Sequence, residues 1–375
     1  MNIAINANRA RSGGALRHLK GILQNVPKHI KKENNIHLWG NPDLLSEIGD
    51  YPFLIKHKYH LSKANIIYQL FWERFFFKHL IIRENCKVLI NIDAGTTCNF
   101  KNSITMSRDM LPFEPDVIKD FPLKFKLRQI FLKFISIKSL NDSKKIIFLT
   151  NYAYSKIKKS LRKNISYEII PHGVECNLFL KSNPNIREKV TNEGFKITYI
   201  SPFLPYKNQR KVILAVNKLK EEGYKVKLEL IGKMDVLSRK IIYKTLKNLS
   251  SSNSFIRIIE EVKQDLIPKY LLNTDIFLFA SACENLPNTL LEGMSAGLPI
   301  VCSDMGPMPE ILQDGGLYFN PYEINSIYRA LKTLLDNKML RTTLSKKAKK
   351  ISLQYTWSKS SKAIFENALK MGTNF

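Results

Sequence analysis

The sequence predicts an α/β protein built from two doubly wound, Rossmann-like domains with a cleft between them. Three observations carry this prediction. The chain has 375 residues, and chains above roughly 250 residues split into domains. Short apolar runs of strand length alternate with helical stretches along most of the sequence. That rhythm is interrupted once, by a polar stretch over residues 180–194 with the composition of a linker. A first domain over 1–175 and a second over 190–355 follow, with a last helix at about 358–375 expected to pack back on the first. A cleft between two domains is the default place for a ligand.

In order along the chain, the opening NIAINA reads as a buried strand. The loop Asn8 to Gly14 and the helical pattern ALRHLKGILQNV follow it. The runs at 87–92, 102–107 and 145–150 (KVLINI, NSITMS, KIIFLT) are further strands of a parallel sheet. The first domain ends soon after YEIIPHGVE, and the βα rhythm restarts with KITYIS, KVKLELIG, FIRIIE, DIFLFA and LPIVCS. SKSSKAIFENALK is the last helix. Phe71, Trp72 and Phe75 to Phe77 form an aromatic cluster with two readings, the lining of a ligand or lipid region or, the one favoured, part of the core.

Composition narrows the class. No run of 18 apolar, uncharged residues is present, and the N-terminus lacks the basic, apolar and small-residue regions of a secretion signal. The five cysteines, Cys86, Cys98, Cys176, Cys283 and Cys302, never take a CxxC spacing, which argues against a disulfide framework or a zinc site. A cytoplasmic protein is expected. The net charge of +27 attracts polyanions. Residues 119–163 hold thirteen Lys or Arg against two acids, and the segment FPLKFKLRQIFLKFISIKSL interleaves Phe, Leu and Ile with cations at helical spacing. Two readings stand: a helix lying on an anionic membrane surface, or a helix packed on its own domain with a solvated basic face. Nothing resembles a nucleic-acid-binding module, so no nucleic acid partner is expected.

The chemistry concentrates between Leu278 and Leu312. A buried strand ends in the loop Ser281 to Glu284, and Pro287-Asn288-Thr289 opens a helix carrying Glu292. The N–H groups freed at a helix start make a phosphate seat. Proline suits the first turn because its missing N–H costs nothing there. Gly293 and Ala296-Gly297 let the helix approach its sheet closely. Glu284 and Glu292, with seven residues between them, suit two parts of one ligand, because a carboxylate accepts hydrogen bonds from adjacent sugar hydroxyls. Taken alone, either acid is equally a helix-dipole partner. Gly13 and Gly14 bring backbone N–H groups to a turn with no Cβ in the way. They are not part of a GxGxxG fingerprint, so no NAD is inferred.

ENLPNTLLEGMSAGLPIVCSDMGPMPE resembles the E-x7-E signature of the retaining glycosyltransferases of family 4, which have the GT-B fold of two facing Rossmann-like domains. The likeness extends over nearly the whole chain: Gly13-Gly14, Pro171-His172-Gly173-Val174, YISPFLPYKNQRKVILAV and LELIG. The resemblance implies a hexosyltransferase that retains anomeric configuration. Its donor would be a nucleotide-sugar, UDP- or GDP-linked, bound by the domain at 190–355, and its acceptor a lipid-linked saccharide in O-antigen, lipopolysaccharide or capsule synthesis, bound by the domain at 1–175. It implies that Glu284 contacts the donor sugar, Glu292 the ribose, and the backbone around Leu286, Pro287, Asn288, Thr289 and Leu290 the sugar and diphosphate. Lys207 matches the lysine that neutralises the diphosphate, where a fixed cation lowers the barrier as charge builds on the leaving group.

Two departures stand out. An arginine of many relatives is replaced by Pro202, leaving Arg210 or Arg108 as the second diphosphate cation. A histidine before an aspartate is replaced in Ser107-Arg108-Asp109, so catalytic roles for Arg108 and Asp109 rest on position alone, against Asp109 as a turn cap. His172 reads as a hinge or packing residue. With no Asp-x-Asp in the sequence, metal-independent activity without a cofactor is expected. Domain closure about residues 172–194 would bring Arg108 and Gly14 towards the donor. A nucleotide-sugar epimerase on the same fold, or a non-catalytic basic binding protein, are the alternatives.

Overall fold

The computed structural model describes residues 1–10, 13–59, 65–119, 121–175, 194–249 and 253–373. Cys176 and all but the last residue of the polar stretch 180–194 lie outside the described residues. The chain divides into two compact units, Met1–Gly173 with Thr356–Phe375, and Val174–Tyr355.

The first unit is a seven-stranded parallel sheet in the order β3-β2-β1-β4-β5-β6-β7. Its strands are β1 (Asn2–Ala7), β2 (Asn35–Gly40), β3 (Leu54–Lys58), β4 (Cys86–Asn91), β5 (Ser103–Ser107), β6 (Lys145–Phe148) and β7 (Ser166–Ile169). Strand side chains alternate between faces, so each strand feeds two cores. Ile3, Ile5, Ile36, Leu38, Val88 and Ile90 join one buried cluster, while Ala4, Trp39 and Leu89 join another. The first cluster takes in α1 (Gly14–Gln24), α2 (Lys28–Glu33) and α3 (Pro42–Ser46) through Leu19, Ile30 and Leu44.

After β3 the chain crosses back over β2 and β1 to reach β4. The connection runs through α4 (Ile66–Trp72), a π-helical turn (Glu73–Phe77) and α5 (Lys78–Arg83). Right-handed crossovers put helices made while the strand order runs one way on one face, and those made while it runs back on the other. Phe77 and Ile81 accordingly enter the second cluster. By the same rule α6 (Pro115–Ile118), α7 (Leu123–Asp142) and α8 (Asn151–Ile157) share that second face. The terminal helix α16 (Trp357–Thr373) returns to the first face. Ser361 Oγ donates to Ile22 O at 2.7 Å, and a Cβ on Gly21 would lie 2.3 Å from the Trp357 ring, so only glycine admits this contact.

The outer side of the second face differs from expectation. Phe71, Phe75 and Phe76, expected in the core, are 51–53% exposed, and only Phe77 is fully buried. The π turn, one residue wider than an α turn, sends Glu73 and Phe77 inward while its neighbours face out. Helix α7 is turned in the same sense. It buries Gln129, Ser136 and Ser139 beside Ile135 and Leu140, and exposes Leu123, Leu127, Ile130 and Phe134 at 57–71%. Those four follow a spacing of 4, 3 and 4, which is one side of a helix. An apolar stripe therefore faces outward, which the packed-helix reading does not account for.

The second unit is a six-stranded parallel sheet, β10-β9-β8-β11-β12-β13. Its strands are β8 (Phe195–Ile200), β9 (Val226–Ile231), β10 (Ile256–Ile259), β11 (Ile276–Phe279), β12 (Ile300–Ser303) and β13 (Leu317–Phe319). Helices α9 (Gln209–Glu221), α10 (Val236–Lys247), α11 (Ile267–Leu272), α12 (Asn288–Ser295), α13 (Met308–Leu312), α14 (Ile324–Asp336) and α15 (Lys338–Ser352) connect and flank the strands. Gly293 lets α12 lie against the sheet, since a Cβ there would come within 2.7 Å of the Phe277 ring. Gly297 acts on the backbone instead, ending the helix in the left-handed conformation at φ +63°. No helix among the described residues is long and apolar enough to cross a membrane.

Candidate functional site

Open parallel sheets bind ligands beyond the carboxyl ends of the strands, where the strand order reverses. In the second unit that point lies between β8 and β11, and two loops meet there. The loop after β8 makes a 3₁₀ turn over Pro205–Lys207, ended by Asn208 at φ +57°. Asparagine tolerates this left-handed position better than most residues. Asn208 Nδ2 donates to Ala280 O at 3.0 Å, and Ala282 N donates to Tyr206 O at 2.8 Å. These bonds stitch the β8 loop to the β11 loop.

Across the stitched loops Lys207 forms an ion pair with Glu284. Tyr199 OH holds the Lys207 carbonyl at 2.9 Å, and the ammonium lies 5.1 Å from the Tyr206 ring centroid, within cation–π range. The structure thus joins two sequence-selected residues 77 positions apart. Four residues beyond Glu284, α12 begins. Pro287 is its N-cap rather than its first residue, and neither a capping side chain nor an acid occupies its first turn. Asn288 and Thr289 are half-buried, whereas Leu286, Pro287 and Leu290 are buried, so this segment offers a ligand mainly its backbone. Glu292 is buried on α12. Arg210 is exposed on the first turn of α9 and Pro202 is exposed too; Gln209 Nε2 holds the Pro202 carbonyl at 2.9 Å.

In the first unit the reversal lies between β1 and β4. Gly13, at φ +63°, is the N-cap of α1, with nothing within 4 Å of where a Cβ would stand. Arg108 Nη2 donates to Gly14 O at 2.8 Å, joining the β5 end to the glycine turn. Asp109 Oδ1 accepts from Leu111 N at 3.0 Å, the turn-capping geometry. Asp109 lies in a recess: solvent reaches it, yet the surrounding protein and then nearby Asp93 push its carboxyl up to about 6. His172 stacks on Trp357 at 5.5 Å and meets His18 edge-on at 5.9 Å; burial holds the pKa of His18 well down. These are packing contacts, and burial keeps the His18 imidazole neutral inside the unit.

Sequence reasoning missed a polar group at the same strand ends. Asn8, Arg9, Tyr59 and Glu73 all carry buried side-chain N or O atoms without a hydrogen-bond partner among the described residues. Their positions in the chain form no motif. The one local signal is Glu73 itself, an acid inside the aromatic run Phe71 to Phe77. Among the described residues a single trio, His37, His57 and Glu84, could present three metal-ligand atoms, all within 4.8 Å. His37 Nδ1 and His57 Nε2 already share a hydrogen bond of 3.0 Å.

Residues 182–351 match the family Glycosyl transferases group 1. An uncharacterized glycosyltransferase of Methanocaldococcus jannaschii, MJ1178, is 24% identical over 225 residues, 58% of this chain and 57% of that protein. The O-antigen chain mannosyltransferase B of Escherichia coli is 26% identical over 218 residues, 56% of this chain and 54% of that protein. The chain thus spans little more than half the length of these curated relatives. Among solved structures, sucrose-phosphate synthase from Thermosynechococcus elongatus superposes with a TM-score of 0.81 at 14% identity, over 100% of both chains. HepE of Anabaena, in complex with UDP and glucose, gives 0.74 at 14%, over 99% of this chain and 100% of that one. These likenesses show the fold: two parallel-sheet, Rossmann-like domains of the GT-B type.

Proposed function

Because the chain carries a Glycosyl transferases group 1 domain, we propose that it transfers a sugar from a nucleotide-sugar donor to an acceptor hydroxyl, with retention of configuration. The observation that carries this reading is the Lys207–Glu284 pair at the β8/β11 strand ends, beside the uncapped start of α12. The N–H groups of Asn288 to Leu290 and the helix dipole favour an anion there. Lys207, held by a carboxylate through one oxygen only, is the cation that takes the diphosphate. As the donor bond breaks, charge collects on the leaving phosphate and Lys207 stabilises it. Glu284 then has its second oxygen for a donor-sugar hydroxyl, and Glu292 takes the ribose. Retention needs the acceptor hydroxyl to approach on the face from which the nucleotide leaves, and the leaving phosphate itself accepts its proton. No metal is required for these steps.

Polysaccharide synthesis on a lipid-linked acceptor is the setting we favour. The outward stripe Leu123, Leu127, Ile130 and Phe134, flanked by Lys124, Lys126, Arg128 and Lys133, has the chemistry of a helix resting on an anionic membrane. The O-antigen relative supports the pathway. The test is incubation with UDP- and GDP-sugars in EDTA, with and without membrane lipid extract, followed by NMR of the product. Acceptor-dependent release of nucleotide with the donor's anomeric configuration preserved is expected. Conversion of the nucleotide-sugar without an acceptor would favour the epimerase instead. Complete loss of turnover in EDTA, restored by manganese, would overturn the metal-free scheme.

A further inference from the structure

We propose that the first unit binds a divalent transition metal, of the zinc, copper or nickel kind, through His37, His57 and Glu84 at the edge of its sheet. The site belongs to the first unit alone and takes no part in the metal-free transfer steps proposed for the second.

Three elements deliver the three side chains. In the parallel register of β2 and β3, Trp39 lies beside His57 and His37 beside Ile55. Side chains two positions apart share a face, so His37, Trp39 and His57 stand on the same side of the sheet. Their rings are close to parallel. Trp39 stacks on His57 at 4.3 Å and 9°, and on His37 at 5.9 Å and 21°. This stack fixes the orientation of both imidazoles. Glu84 comes from the end of α5, where Asn85 takes the left-handed conformation at φ +52° and turns the chain into β4. Asn2 Nδ2 holds the Glu84 carbonyl at 2.8 Å, so the residue is anchored by its backbone.

The distances suit one ion. Each residue offers one ligand atom, and the three atoms all lie within 4.8 Å of one another. His37 Nδ1 and His57 Nε2 share a hydrogen bond of 3.0 Å. Two nitrogens on one tetrahedral zinc, each at about 2.0–2.1 Å from it, stand about 3.3 Å apart. The ion thus replaces the shared proton after a small parting of the rings, and that proton moves to the far nitrogen of its own imidazole. Glu84 Oε2 lies 3.8 Å from His37 Nδ1, while Oε1 lies 3.5 Å from Arg83 Nε. One oxygen therefore faces the histidines and the other faces a supporting cation, as metal-binding carboxylates commonly do.

Two imidazoles and one carboxylate match zinc, copper or nickel, whereas magnesium prefers oxygen ligands. Cations near the trio do not dominate it. Lys56 Nζ is held at 2.6 Å by both Asp50 Oδ1 and Ile48 O, and Lys58 is exposed, where water and salt screen it. Of the three ligands, His57 also borders a cavity of about 590 Å³ that Lys58 and Arg83 help to line. Water or a small anion from that cavity completes the tetrahedron. The bound ion ties the edge strand β3 to β2 and to the end of α5.

The experiment is calorimetric titration of the untagged full chain with zinc chloride and with magnesium chloride, together with electron paramagnetic resonance of the copper(II) form. One equivalent of zinc should bind with a micromolar or lower Kd and raise the melting temperature. Copper should show hyperfine coupling to nitrogen, and magnesium should not compete. His57→Phe keeps the stack on Trp39, and Glu84→Gln keeps the side-chain shape; both should melt close to the parent without metal and bind zinc roughly tenfold more weakly or worse. His29→Ala and His79→Ala, at exposed positions, should bind as the parent does. The proposal is overturned if zinc fails to saturate the chain below about 0.1 mM, if binding survives both His57→Phe and Glu84→Gln, if it is lost with His29 or His79 instead, or if magnesium displaces zinc.

Discussion

At the β8/β11 strand ends Lys207 and Glu284 are paired with each other, whereas at the β1/β4 strand ends a bonded network of Asn6, Asn91, Thr96 and Glu73 lies beside side-chain atoms that have no partner among the described residues. Lys207 meets Glu284, and Asn208 bridges two loops through Ala280 O. Asn8, Arg9, Tyr59 and Glu73 keep atoms without partners among the described residues. In the proposed donor reading the anion is bound by strong, long-ranged forces, so that a helix start and one lysine suffice, with the lysine kept in place by Glu284 until the anion arrives.

The largest test of this contrast is Lys207→Ala. It removes the cation of the prebuilt seat and leaves Glu284 unbalanced, so transfer should fall roughly a hundredfold or more. A change below about threefold in initial rate would mean another cation neutralises the leaving group. Next is Gly293→Ala, which probes the scaffold beneath the seat. The new Cβ would press on Phe277 at 2.7 Å, and overpacking of this kind costs about 1–3 kcal/mol. Calorimetry should show a lower melting transition; an unchanged one would mean α12 shifts freely and the seat is not rigid.

The membrane face sharpens the comparison from outside the sites. Phe134→Asp together with Leu127→Asp should reduce flotation with phosphatidylglycerol vesicles severalfold while leaving the melting temperature within error, since both side chains are exposed. Equal flotation of parent and variant, or none by the parent, contradicts that role for α7. The smallest effect concerns Asp109. Its folded pKa of about 6 lies above its ordinary value of 3.8, so the folded state holds the proton more tightly. The resulting penalty is absent below about pH 4 and fully present above about pH 6. Asp109→Asn should therefore be stabilising relative to the parent near pH 7, with the gain vanishing towards about pH 4. A variant that loses stability at neutral pH would make Asp109 a cap and nothing more.

How much of this was legible depends on where the chemistry sits along the chain. Glu284, Pro287 and Glu292 lie within one βα unit, close enough in the chain for their resemblance to the E-x7-E signature to single them out, and Lys207 was singled out by its own match to the family's lysine after a strand. Helix α12 did start one residue later than read, because Pro287 caps it instead of opening it. The first unit resisted reading because its group is drawn from residues 8, 9, 59 and 73, brought together only when β3 crosses back to β4. Strands β2 and β3 escaped notice for a related reason: His37, His57, Lys56 and Lys58 interrupt their apolar pattern. The aromatic run was misjudged because hydrophobic content says nothing about which way a helix is turned. Only the π turn at Glu73, with the polar inner side of α7, shows that these apolar residues look outward.

Everything proposed for the second unit depends on a nucleotide diphosphate binding at the start of α12. The most direct check is a thermal-shift titration of the full chain with UDP, GDP, ADP and CMP and their common sugars, repeated with Glu292→Gln and Lys207→Ala. One base should raise the melting temperature selectively, the diphosphate form should do so more than the monophosphate, and both substitutions should diminish the rise. A rise of equal size in both variants, or none with any nucleotide, would contradict diphosphate binding at this helix start.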